Sequence, residues 1–182
     1  MNRAINFKTY VIKSKQNGAV LAITIIFLLL LTILGMAAIE NSIIQSKIEN
    51  NLTDADRAFQ AAESALREGE SFLFGLSAKP IIVNTCQIKP CVLIHNSTLY
   101  PENQNLSWWE TNGTIYQGSL PVKVAARPLY IIQFQRFIPD DNTIGLGQGT
   151  SSGKYYYQIT ARGTGSNINS ISILQSVVVR RF

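Results

Sequence analysis

Cys86 and Cys91 are the only two cysteines in a chain of 182 residues, spaced as Cys86-Gln87-Ile88-Lys89-Pro90-Cys91. Redox exchange of the Cys-x-x-Cys type does not fit four intervening residues. A zinc site would need further ligands, which the single histidine, His95, cannot supply. In an oxidising compartment the pair is expected to close a small disulfide loop, with two free thiols as the alternative. The glycine-rich stretch from Ile144 to Tyr155 invites a phosphate-binding reading, but a Walker A loop needs a glycine where Gln148 stands and a hydroxyl where Tyr155 stands. It reads instead as an inter-strand loop. Asp140-Asp141-Asn142 offers three oxygen ligands, fewer than the six to eight that calcium takes. Four Asn-x-Ser/Thr sequons, at Asn51, Asn96, Asn105 and Asn112, are what chance produces in a chain rich in Asn and Ser. No Ser-His-Asp, Cys-His or paired-carboxylate constellation stands out, so neither enzyme, metal nor cofactor is expected. Trp108 and Trp109 are adjacent in a polar stretch. On a strand they could not both face one core, so one is expected to be exposed and to offer an interaction surface.

Which compartment these residues meet depends on the N-terminal elements. The leader MNRAINFKTYVIKSKQNG carries Arg3, Lys8, Lys13 and Lys15 and no acid, which by the positive-inside bias holds it in the cytoplasm. From Ala19 to Ile39 follow 21 residues interrupted only by Thr24, Thr32 and Gly35. At ~1.5 Å per residue this run just crosses a ~30 Å hydrocarbon core, and everything beyond Ile39 is expected to face outward. A cleaved secretory signal would use Gly35-Met36-Ala37 as its small-x-small site. Against it, the run exceeds the ~7 to 15 residues typical of such apolar regions, and no Pro/Gly cluster follows. A plain signal anchor explains the span but not what comes after it.

Net charge is +5, and its distribution matters more than its sum. Beyond the leader, residues 40–79 hold seven acids against four bases, and residues 80–182 hold eight bases against four acids. The high pI therefore reports topology more than a DNA-binding face, and nucleic acid is a disfavoured partner.

Small or apolar residues then recur at 44, 48, 51, 55, 58, 62, 65, 69, 72 and 76, with Leu52, Phe59, Leu66 and Leu73 widening the stripe. This is one face of a helix about 100° wide. The stretch Asn50-Asn51-Leu52-Thr53 is where a kink or re-capping is expected, with Thr53 and Asp56 spaced like a partial capping box. Beyond Pro80 the pattern turns β-rich. Strands are expected at Thr114 to Ala125, Leu129 to Phe137, Tyr155 to Arg162 and Ser170 to Arg181, the last two as a hairpin across Gly163 to Asn169. Residues 77–113 read as irregular. The fold class is α+β, with a long N-terminal helix packed through its amphipathic half on a C-terminal antiparallel sheet. Its parts are a leader over 1–18, a transmembrane or filament-core helix over 19–39, an amphipathic helix over 40–76 and an exported head over 77–182.

A basic leader ending at Gly18, an unbroken apolar span and a contiguous amphipathic helix together resemble a type IV prepilin. Asn17-Gly18-Ala19-Val20-Leu21, the run Phe27 to Ala38 and the segment Ile48 to Arg67 are similar to minor pilins of the PilX kind, as are Tyr157 to Gly165 and Leu174-Gln175-Ser176. The resemblance implies cleavage between Gly18 and Ala19 by a prepilin peptidase, N-methylation of the Ala19 amine and storage in inner-membrane lipid before assembly. It also implies partners: other minor pilins, the major pilin, the inner-membrane assembly machinery and a tip adhesin. Two departures stand out. Ala19 replaces the usual phenylalanine, and Ile23 replaces the glutamate with which major pilins are thought to pair the amine of the subunit above. The missing carboxylate suggests a place at or near the filament tip. Alternatives are an adhesin or DNA-uptake component, or a type II secretion pseudopilin, although the tip pseudopilin usually carries a larger head.

Overall fold

The computed structural model describes residues 19–96, 100–120, 123–140 and 152–182. The leader with Gly18, the Asp141-Asn142 pair and most of the glycine-rich loop lie outside them. The chain divides between Ile48 and Glu49 into two units. A single helix, α1, runs Ala19–Gly75 and passes through Asn50-Asn51-Leu52-Thr53 without re-capping, contrary to expectation. Helix formers flank that stretch, and the Asp56 carboxylate accepts from Gln60 Nε2 (2.7 Å) one turn on instead of capping.

In the second unit α1 lies on a sheet of six strands: β1 (Ile82–Val83), β2 (Val92–Ile94), β3 (Thr114–Ile115), β4 (Leu129–Pro139), β5 (Gly153–Thr164) and β6 (Ile171–Arg180). Their order is β1-β2-β4-β5-β6, with β3 also on β4. The β4–β5–β6 meander is antiparallel, with a bulge between Phe134 and Arg136. The sheet is mixed, however, because β1 pairs with β2, and β2 with β4, in parallel. Two corrections follow. The strand expected over Thr114 to Ala125 shrinks to two residues. Downstream of it, Ala125 N–H donates to the Gly165 carbonyl (2.7 Å) and Ala126 N–H to Thr164 Oγ1 (3.1 Å), so this chain segment braces the β5–β6 turn instead of extending the ladder. The segment 77–113 is not irregular, since it holds β1, β2, a 3-10 turn at Pro101–Asn103 and a short helix, α2 (Leu106–Asn112).

Strand alternation sends successive residues to opposite faces, and two cores result. Tyr130, Ile132, Tyr157, Ile159, Ala161 and Val178 meet Ala65, Leu66 and Leu73 of α1. Leu129 and Ile131, on the other face, meet Leu93 and Trp109 of α2. The α1 seam is narrow because it is built from small residues: Ala58, Ala61, Ala62, Ala65 and Gly69 are all buried. At Gly163 of β5 a Cβ would collide with the Ala58 carbonyl oxygen and the Ala62 backbone nitrogen and lie 3.0 Å from the Ala61 carbonyl carbon. The stripe starts later than its periodicity suggests. Ile44, Ile48 and Leu52 are 55, 54 and 66% exposed, and Phe59 is 48% exposed.

Candidate functional site

Ala19 is the first residue of α1, and the helix's first turn contains no acid. Through residues 19–52 every side chain is exposed, Ile23 at 56%. The most apolar window has a mean hydropathy of 2.9, long and apolar enough to cross a membrane. Its two hydroxyls are satisfied internally, Thr24 donating to the Leu21 carbonyl (2.8 Å) and Thr32 to the Leu29 carbonyl (2.7 Å). Backbone and side-chain polar groups thus make few demands on their surroundings, which suits either lipid or a packed bundle of apolar helices.

In the second unit polar contacts tie α1 to the sheet and its β5–β6 turn, among them the Ser176 hydroxyl of β6 donating to the Glu70 carboxylate (2.8 Å). Near residue 54, the Asp54 carboxylate accepts from the backbone N–H of Ser166 (2.5 Å) and Asn167 (3.4 Å), while Arg57 donates to Ser166 Oγ (2.5 Å). Desolvation alone would raise the Asp54 pKa. The Ser166 N–H, the Ser170 and Ser166 side chains and the Asn167 N–H outweigh it and hold the group below its ordinary 3.8. Because the folded value lies below the unfolded one, this contact stabilises above about pH 4 and is lost as the pH falls through the lowered value. Asp54→Asn is accordingly expected to lower the melting temperature at neutral pH and to flatten its decline between about pH 5 and pH 2, read from thermal melts across that range.

At the other end, α1 has no basic residue in its last turn. Arg180 of β6 supplies the missing cation. It donates to the carbonyls of Phe74 (2.9 Å) and Leu76 (2.7 Å) and lies over the rings of Phe74 and Phe182 at 5.6 and 5.2 Å. Beside it, the Tyr157 hydroxyl is pushed up to about 12, by burial first and by Tyr155 second, with Arg180 opposing. Tyr130 is likewise raised, by burial and then by Glu68, so both core phenols stay neutral.

Cys86 and Cys91 are joined in a disulfide, their Cα atoms 5.9 Å apart. Lys89 within the loop donates to the Glu110 carbonyl of α2 (2.9 Å). Both cysteines and Trp108 pack on the second core, so the structure gathers the cysteine and tryptophan pairs into one region. The tryptophans sit on α2, which Asn105 caps by accepting from the Trp108 N–H (2.9 Å). Trp109 is fully buried and its indole N–H donates to the Pro101 carbonyl (3.0 Å). The two side chains part because neighbours on a helix diverge by about 100°, so Trp109 faces the core. Trp108 is half-buried at its side, edge-on with ring centroids 6.0 Å apart.

Two family models match the chain. Residues 17–67 match the PilX N-terminal model and residues 75–180 match the C-terminal model of the type IV pilus assembly protein PilX. The chain belongs to the PilX family. No curated protein and no solved structure matches it. PilX membership makes this a type IV pilus component, and its exposed apolar helix is consistent with membrane anchoring and with a place in the fibre. Sequence reasoning about this PilX chain overlooked Asp54, Gly163 and Arg180 as structural contacts. Gly163, expected in the turn, lies within β5, and a glycine inside a strand is the signal of close backbone approach.

Proposed function

We propose that the chain is a non-enzymatic minor pilin acting in pilus assembly, within a tip or priming complex of minor pilins. Cleavage between Gly18 and Ala19 by the prepilin peptidase would free the Ala19 amine for methylation. The span 19–39 would hold the subunit in the inner membrane, with residues 40–76 and the head 77–182 in the periplasm, until the assembly machinery moves it into contact with other minor pilins and the major pilin. The observation that carries this reading is Ile23. An apolar side chain stands on an exposed helix face where major pilins place a carboxylate for the subunit above. A subunit with nothing above it has no use for that carboxylate, and an unpaired one in an apolar core costs about 2.5–3.5 kcal/mol.

Ile23→Glu is expected to reduce both co-purification of the minor-pilin complex and surface piliation, while Ile23→Leu leaves them intact. Piliation and complex formation unchanged in the Glu variant would count against the tip role.

A further inference from the structure

The outer face of the sheet holds a cavity of about 360 Å³ between β2, β4 and α2, lined among others by Asn84, Leu93, Asn96, Trp108, Asn112 and Gln133. Its volume lies in the range of small-ligand sites. Among the described residues none that lines it is charged. Gln133 is the unexpected one. It is 2% exposed in the register of Leu129 and Ile131, whose apolar side chains serve the core on that face, and among the described residues its amide makes no hydrogen bond. Its amide atoms are not sealed off from solvent, so the polar end of this otherwise buried side chain opens into the cavity.

We propose that this cavity binds a neutral sugar, one ring of a glycan. Each side-chain amide presents a carbonyl acceptor beside an NH₂ donor, the arrangement that matches a hydroxyl acting as donor and acceptor at once. Gln133 provides such a pair at the cavity wall, with Asn84 at the exposed rim. Asn112 donates to the Trp108 carbonyl (2.9 Å), which leaves its own carbonyl oxygen to accept. Trp108 supplies the apolar wall on which the C–H face of a pyranose rests. Its ring is held edge-on by Trp109, itself fixed by the hydrogen bond to Pro101, so the platform is set before a ligand arrives. An uncharged lining favours a neutral ring over a phosphate or carboxylate ligand, whose charge would go unpaired there. The site stands independently of any role at a filament tip.

The test uses the full chain in a zwitterionic detergent free of sugar headgroups, titrated with glucose, galactose, N-acetylglucosamine and N-acetylgalactosamine, and with inorganic phosphate in parallel. Tryptophan fluorescence and saturation-transfer NMR are the readouts. At least one sugar is expected to saturate in the millimolar range. Gln133→Met should weaken it about tenfold with no loss of melting temperature, Asn84→Ala should weaken it without touching the core, and Trp108→Ala should abolish it. If Trp108→Ala fails to fold, the other two variants still decide. The proposal is overturned if none of the sugars saturates, if binding survives Gln133→Met and Asn84→Ala unchanged, or if phosphate alone binds.

Discussion

Gly163→Ala is expected to destabilise the second unit by about 3 kcal/mol, at the upper end of what overpacking one methyl group into a tight core costs. The reason is the identity of the atoms in the way. The added Cβ meets the Ala58 carbonyl oxygen and the Ala62 nitrogen, which are helix backbone rather than the ends of movable side chains. Relief requires α1 to lift from β5, and lifting it separates Ala65, Leu66 and Leu73 from Ile159 and Ala161. For a unit of this size the melting temperature should fall by roughly 10 °C. Pairing the change with Ala58→Gly or Ala62→Gly should not restore stability, because neither removes a backbone atom. A variant melting within about 2 °C of the parent would show that helix and strand are not in the close contact described.

Removing Arg180 is expected to have the next largest effect. Arg180→Met keeps the aliphatic stem but loses both donors to the Phe74 and Leu76 carbonyls. Charge-assisted hydrogen bonds of this kind contribute about 1.5–3 kcal/mol, so a loss of about 2 kcal/mol is anticipated in chemical denaturation. Arg180→Lys should recover less than half of it. A lysine has the charge but not the planar fork that reaches two carbonyls while stacking on the Phe74 and Phe182 rings. Full recovery by lysine would mean that charge at the helix terminus, rather than the fork, is what matters.

The parts of the fold that were legible in the sequence are those with long periods. The 57-residue helix and the β5–β6 hairpin show themselves because apolar spacing persists over many residues. Strands of two and three residues, as in β1 and β2, give no such signal, and nothing local announces that they pair in parallel. Where the packed stripe of α1 begins was misjudged for another reason. Upstream of Asp54 the helix is exposed on every side, so Ile44 and Ile48 continue the pattern without being buried. The disulfide was readable from cysteine count and spacing. Burial of Gln133 was not, because a lone Gln in a β-rich run reads equally well as a surface residue.

Arg180 reaches back 104 residues to Leu76 and 106 to Phe74. At synthesis rates of ~5–20 residues per second, roughly 5–20 s separate the appearance of the helix end from that of the residue that caps it. During that interval the small-residue face around Ala62 also lacks β5, and the sheet lacks its last strand. Folding of the second unit is therefore governed by non-local contacts and completes only when the final strand is available. A nascent chain that lacks β5 and β6 has an unshielded alanine groove and an open strand edge, and is at its most vulnerable to proteolysis and mispairing until those two strands are made.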